Sequence, residues 1–435
     1  MKSVVIQKPK SDLASELSFP GDKSLSHRAI IFGALAEGES HFTNVLSGED
    51  CVCTRKAFES MGVRIKSKND SEIWIEGRGL YSLKAPSSEL YLGNSGTSMR
   101  LLMGLLAGQS FSATLTGDSS LSSRPMRRVT EPLRKMGAKI HGKEDGNLAP
   151  LVVEGSKLKG IRYALPIASA QLKSAILLAG LYAEGVTEIS EPEKSRDHTE
   201  RFLKYFGGEI SEYQLSVSIK PGQKMLARDF EIAGDISSAA FFMAIAALFP
   251  SSNIYFRSVL WNPTRTGIVD VMKRMGITFE IYKQYFQGPE PVADFSVKAG
   301  KFQKFEIKKK ELPLLIDEIP ILMVLATQAE GTSVIHEADE LRVKETDRIK
   351  SMTDLLARMG ADIRVEGNTV FVKGPTKLRG AEVDSLKDHR TAMSGVVASM
   401  VAEGKGSIRD VECINTSFPS FFNLLGKIGV QSDFV

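Results

Sequence analysis

One phrase occurs six times in this chain, and it restricts the possible folds more than any other feature. AFESMGVRI ends at Ile65, PLRKMGAKI at Ile140, FLKYFGGEI at Ile210, VMKRMGITF at Phe279, LLARMGADI at Ile363 and LLGKIGVQS at Ser432. Each reads as the last turns of an amphipathic helix, a glycine, then a short β-like run. The glycines stand at 62, 137, 207, 276, 360 and 429, at intervals of 75, 70, 69, 84 and 69 residues. Glycine there has a physical reason, because it takes the left-handed conformation that stops a helix. A second phrase alternates with the first: an Ala- and Leu-rich helix runs into AEGESHF at 36–42, AEGVTEI at 183–189, AEGTSVI at 329–335 and AEGKGSI at 402–408. LLAGQSFSATL at 105–115 and LFPSSNIYF at 248–256 occupy the equivalent places. Recurrence near one period predicts six β/α units of roughly 70 residues each.

The period is too long and too rich in strands for a solenoid, so two closed groups of three units fit better. At 435 residues the chain also exceeds the size at which one hydrophobic core usually stops growing. The divide falls near residue 232, where FEIAGDISS opens the fourth unit. The early segment SVVIQK precedes the first unit and is expected to complete the second domain. The reading is therefore 21–232 for one domain and 1–20 with 233–435 for the other, the chain crossing near Pro20 and near Ala233.

Polar and charged residues recur at one phase of the repeat, at the starts of helices. DKSLSHR opens the first unit, where a helix from Asp22 or Lys23 carries Ser24 and Arg28 on one face. GNSGTSMR at 93–100, SSRPMRR at 122–128, SAQLKS at 169–174 and SRDHTER at 195–201 follow. The second half has GDISS, LIDEIP at 315–320, VKETDR at 343–348 and DHRTAM at 388–393. Cations in a first turn oppose the helix dipole unless something negative binds there. Helix N-termini offer free amides, and arginine grips phosphate or carboxylate bidentately. Pro125 is expected to start a helix, holding Arg124 extended before it. Asp317 and Glu318, flanked by Ile316 and Ile319, read as an acid or base, since buried carboxylates need partners or shift their pKa. Glu345 and Arg348 share helical spacing, compatible with a site pair or a plain surface salt bridge. For NSGTS a ligand-approach turn and a simple helix cap stay equally open.

Other classes fit poorly. The longest apolar run, Ala239 to Phe249, has 11 residues, against roughly 20 for a bilayer span. The N-terminus lacks a signal-peptide core, so a cytoplasmic location is expected. Cys51, Cys53 and Cys413 form neither a disulfide framework nor a zinc signature. A net charge of +4 is modest for a nucleic-acid binder.

Together, PGDKSLSHRA, LGNSGTSMR, GDSSLSSRPM, SAQLKSA, LIDEIP, RVKETDR and DHRTAMS make the chain resemble, over essentially its full length, the 3-phosphoshikimate 1-carboxyvinyltransferase family of enolpyruvyl transferases. The resemblance implies an α/β (α+β) fold of two domains, each an inside-out α/β barrel of three βαβαββ units, with the site in the cleft between them. It implies transfer of the enolpyruvyl group of phosphoenolpyruvate to the 5-hydroxyl of shikimate 3-phosphate, by addition and then elimination of phosphate. By resemblance Lys23, Ser24 and Arg28 touch the substrates, Lys23 lying between the two. Ser169, Ala170, Gln171, Asp317 and Lys344 hold shikimate 3-phosphate, with Arg196 as a further phosphate contact. Gly96, Arg124, Arg348 and Arg390 hold phosphoenolpyruvate, which Gln171 also contacts. Asp317 is the candidate acceptor of the hydroxyl proton and Glu345 handles the methyl proton, with Lys23 assisting. No metal or organic cofactor is implied, nor any nucleic-acid or membrane partner, and a monomer is expected. Domain closure on the anions should lower the radius of gyration.

Two departures stand out: Thr416 precedes SFP where many members have lysine, and Leu101 replaces a proline found in many. Gly96 is where glyphosate-tolerant relatives place alanine. The related transferase acting on UDP-N-acetylglucosamine typically uses a loop cysteine near the Arg124 region; here that loop, GDSSLSSRPM, has none.

Overall fold

The computed structural model describes residues 2–9 and 12–435. The chain forms two compact units. One comprises Gly21–Ile232 with Gln287–Glu290; the other comprises the residues up to Pro20, Ala233–Phe286 and Pro291–Val435. The chain thus passes between units four times, where the sequence reading has two crossings. The additional pair arises at a hairpin whose strands, Thr278–Gln287 and Glu290–Lys298, meet in the turn 287–290. That turn packs in the first unit for two local reasons. A Cβ on Gly288 would lie 2.5 Å from the Phe230 ring, and the fully buried Glu290 accepts a hydrogen bond from His198 Nδ1 at 2.8 Å.

Among the described residues each unit holds three four-stranded sheets. In every sheet a strand of two to five residues lies parallel to its neighbour, as Leu90–Tyr91 does beside Ser112–Thr116. The parallel strand of the first sheet is Phe230–Glu231, from the far end of the unit, set against Glu37–Thr43. In the other unit Ala14–Ser18 lies parallel to Asn253–Leu260. Ser3–Ile6 pairs antiparallel with both Gly406–Arg409 and Ser432–Phe434. Both N-terminal strands therefore belong to the second unit's sheets.

Two kinds of helix alternate. Lys23–Leu35, Gly96–Ala107, Ala170–Gly180, Ile236–Leu248, Ile319–Ala326 and His389–Val401 are buried along most of their length. Their sequences are apolar or small on nearly every side, which suits a core helix. Packing between two of them is close enough that a Cβ on Gly104 would stand 2.0 Å from the Ala175 carbonyl oxygen. The second kind includes Glu49–Ser60, His198–Tyr205, Gly267–Arg274 and Arg348–Arg358, each buried on one side only. All six repeat glycines have φ between +86° and +101°, the conformation that terminates these helices. One local expectation fails: the helix after Arg124 is Arg127–Lys135, capped at Met126, so Pro125 precedes it rather than starting it. Met126 N–H is drawn instead to the Asn147 carbonyl at 2.7 Å.

Candidate active site

Five of the six core helices named above start with side-chain caps; Ile319–Ala326, which follows Glu318, does not. Asp22, Ser95, Ser169, Asp235 and Asp388 each accept a backbone N–H of the first turn, so NSGTS is a helix cap through Ser95. The caps satisfy only part of each terminus, leaving amides and the positive dipole end beside the cations.

In the first unit the predicted residues gather in two groups. Lys23 and Ser24 open their helix, half-buried, with Lys23 Nζ 3.1 Å from Asp50 Oδ2. One turn on, Arg28 is 3% exposed. Its Nε donates to Thr199 Oγ1 and its Nη2 to Ser174 Oγ, each at 2.8 Å, and Nη1 donates to the Ser24 carbonyl at 3.0 Å. Burial lowers its pKa to about 10, opposed by Glu200, Asp22 and Glu290 and assisted by Arg196; it stays cationic at neutral pH. Arg196 itself is half-buried, just ahead of the helix His198–Tyr205.

The second group surrounds Gly96. Arg100 Nη1 donates to Gln171 Oε1 at 2.6 Å, and Gln171 Nε2 donates to Thr97 Oγ1 at 2.9 Å. Arg124 bonds Asn94 through both its carbonyl and its side chain. A Cβ on Gly96 would lie 3.0 Å from Arg100 Nη1 and 3.3 Å from Arg124 Nη1. Gly96, Arg124 and Gln171 are thus brought together, and Ser169 and Ala170 adjoin Gln171 at the start of the same helix.

In the second unit one buried guanidinium organises the rest. Arg348, 1% exposed, donates from Nε to Asp388 Oδ2 at 2.9 Å, from Nη1 to Asp317 Oδ1 at 3.3 Å and from Nη2 to Glu345 Oε2 at 2.5 Å. Burial works against its charge, but the Asp388, Glu345 and Asp317 carboxylates outweigh that and hold its pKa above the ordinary value. A surface salt bridge is therefore the wrong description of Glu345–Arg348. Arg390 Nη1 donates to the Asp317 carbonyl at 3.0 Å, and its Nε stands 3.6 Å from Asp317 Oδ1. Lys344 has its pKa lowered by burial and by Arg348, with Asp317 opposing. All five predicted residues of this unit are assembled around Arg348 and Asp317.

The sequence reading missed Arg100, Asp50 and Asp388. Arg100 lies four residues after Gly96, on the same helix face, and Asp388 occupies a helix-cap position; both signals were present in quoted motifs. Asp50 carries no local signal, since its pairing with Lys23 spans 27 residues. Thr416, in the turn Val411–Thr416, bonds the Cys413 carbonyl at 2.8 Å and brings no charge. Burial raises the pKa of Cys53, and that of Cys413 to about 12, the reverse of an activated thiol.

The family model described as EPSP synthase (3-phosphoshikimate 1-carboxyvinyltransferase) matches residues 7–425. A 3-phosphoshikimate 1-carboxyvinyltransferase from Citrifermentans bemidjiense is 49% identical over 96% of this chain and 97% of its own. The one from Bacillus subtilis is also 49% identical, over 97% and 98% respectively. Among solved structures, EPSP synthase from Acinetobacter baumannii superposes with a TM-score of 0.90 at 42% identity, covering 100% of both chains. The enolpyruvyl transferase NikO from Streptomyces tendae shares the fold, with a TM-score of 0.79 at 15% identity.

Proposed function

The chain belongs to the EPSP synthase (3-phosphoshikimate 1-carboxyvinyltransferase) family and transfers the enolpyruvyl group of phosphoenolpyruvate to shikimate 3-phosphate; from that premise we propose which of its residues do so. Lys23, Ser24, Arg28, Ser169, Ala170, Gln171, Arg196, Asp317 and Lys344 bind shikimate 3-phosphate. Lys23, Gly96, Arg124, Gln171, Arg348 and Arg390 bind phosphoenolpyruvate, and Arg100 joins them through Gln171.

Asp317 accepts the proton of the attacking 5-hydroxyl, while Glu345, entering this step as the neutral acid and assisted by Lys23, delivers its proton to the methylene carbon of phosphoenolpyruvate. The new C–O bond forms at the carbon bearing the phosphate. Glu345 then takes a methyl proton back as the C–O bond to phosphate breaks, restoring the double bond, and the proton held on Asp317 leaves with the phosphate. Fixed cations neutralise the phosphate that leaves, without reorganising at the moment of reaction. The observation that carries this assignment is the convergence of Asp317 and Glu345 on the single buried guanidinium of Arg348, which fixes both carboxylates beside Lys344 and Arg390. We also propose a cytoplasmic monomer; among the described residues no helix is long and apolar enough to cross a membrane.

Release of inorganic phosphate tests the reading. It should require phosphoenolpyruvate and shikimate 3-phosphate together. Release with UDP-N-acetylglucosamine in place of shikimate 3-phosphate would overturn it.

A further inference from the structure

Arg28 is held by the protein on all three of its nitrogens, through groups that come from three separate helices. A guanidinium has five N–H donors. One each on Nε, Nη1 and Nη2 goes to Thr199, Ser24 and Ser174, which leaves two for a ligand. The Thr199 and Ser174 hydroxyls are 2.6 Å apart and both buried, so one donates to the other and each still accepts from Arg28. Their sequence neighbours form a second buried set: Lys173 Nζ lies 2.7 Å from Glu200 Oε1 and 2.8 Å from Glu191 Oε1. Glu191 in turn accepts from Ser195 Oγ at 2.5 Å. Adjacent residues of helix Ala170–Gly180 (Lys173, Ser174) thus meet adjacent residues of helix His198–Tyr205 (Thr199, Glu200), the ionic half fixing the helices and the hydroxyl half meeting Arg28.

We propose that Ser174 and Thr199 are positioning residues for Arg28, fixing its guanidinium before shikimate 3-phosphate arrives. The proposal rests on the assignment of Arg28 to that substrate. Arginine carries large rotamer freedom, and ordering it on binding costs affinity. A pre-fixed fork removes that cost, and it acts on ground and transition states alike. Its loss should therefore raise KM for shikimate 3-phosphate and leave kcat in place.

The test is steady-state kinetics on Thr199→Val, Thr199→Ser and Ser174→Ala, with Arg28→Lys and the double variant Arg28→Lys/Thr199→Val. Thr199→Val keeps the shape, loses the acceptor and should raise KM for shikimate 3-phosphate about tenfold, the size of one lost hydrogen bond from a charged donor. KM for phosphoenolpyruvate should not move, Thr199→Ser should restore the wild-type value, and Thr199→Val should add nothing in the Arg28→Lys background. Ser174→Ala should behave like Thr199→Val, and it keeps the test open if the latter fails to fold. A lowered Tm with both KM values unchanged or raised in parallel would overturn the proposal, as would full additivity with Arg28→Lys. If Arg28→Lys raises KM but neither hydroxyl variant does, the positioning role alone falls. If Arg28→Lys leaves KM unchanged, the Arg28 assignment falls and the positioning role with it.

Discussion

Asp317 and Glu345 sit on the same guanidinium, but the proposed mechanism asks opposite work of them, one to accept a proton from oxygen and the other to deliver one to carbon. General acid–base assistance of either kind is worth about 10²–10⁴-fold. Asp317→Ala and Glu345→Gln should each reduce kcat at least about tenfold, the cautious end of that range. Turnover measured at saturating substrates decides it, and a near-normal rate removes the residue from the mechanism. Gly96 is constrained by its neighbours in a different way. A methyl group there must displace Arg100 Nη1, 3.0 Å from the position it would take. Gly96→Ala should raise KM for phosphoenolpyruvate and weaken inhibition by glyphosate, leaving KM for shikimate 3-phosphate unchanged; equal shifts in both KM values would contradict the placement. His27, in the helix Lys23–Leu35, is fully buried, its Nδ1 2.8 Å from Thr54 Oγ1. Burial, then Lys23 and Arg28, lowers its pKa from 6.5 to about 3. Its folded-state pKa is depressed, so the unfolded chain takes up the proton first as pH falls. Stability is lost between about pH 6.5 and pH 3, at about 1.4 kcal/mol per pH unit. Denaturant unfolding at pH 7.5 and pH 5 should show wild type losing about 2 kcal/mol more than His27→Gln.

Helices and strands differ in how far their sequences announce them. The six glycines were legible because a helix stop at positive φ is a local requirement that few other residues meet. The core helices were legible as apolar runs with polar starts. Strand partners were not, because Phe230–Glu231 against Glu37–Thr43, or Ser3–Ile6 against Gly406–Arg409, pair residues far apart in the chain, such as Phe230 with Phe42 and Ser3 with Arg409. The turn 287–290 was misplaced for the same reason: its place depends on Phe230 and His198, which no nearby residue announces. The candidate site divided along the same line. Motif cations were found at helix starts, whereas Asp50 and the hydroxyls behind Arg28 act across distances the motifs do not span. The same long-range wiring makes a stability prediction at this scale. Lys173 joins two helices by contacts to two buried carboxylates, Glu191 and Glu200, and their attraction raises its pKa although burial lowers it. Lys173→Met preserves the packing volume but leaves both carboxylates without their cation. It should cost about 3–5 kcal/mol of unfolding free energy, read from the denaturant midpoint at constant m-value; a loss under about 1 kcal/mol, the range of a surface pair, would refute the network's role.

For the whole molecule the question is whether two units, each with its own core, serve one substrate. Shikimate 3-phosphate is assigned ligands from both: Arg28, Ser169 and Gln171 on one, Asp317 and Lys344 on the other. Anything that binds only the folded protein stabilises it by RT ln(1 + [L]/Kd), about 2.7 kcal/mol at one hundred times Kd. A variant binding tenfold more weakly retains about 1.4 kcal/mol at the same concentration, roughly half. Arg28→Ala and Lys344→Ala should each halve the stabilisation by shikimate 3-phosphate in this way, although they change different units. Arg28 should matter through its buried fork and Lys344 through its place beside Asp317 and Arg348, the charged groups that act on it most strongly. A melt with inorganic phosphate alone controls for unspecific anion binding. If Lys344→Ala leaves the shikimate 3-phosphate shift intact while Arg28→Ala abolishes it, this substrate belongs to the first unit alone. Asp317 then has no 5-hydroxyl to deprotonate, and the chemistry assigned to the second unit must be given up with it.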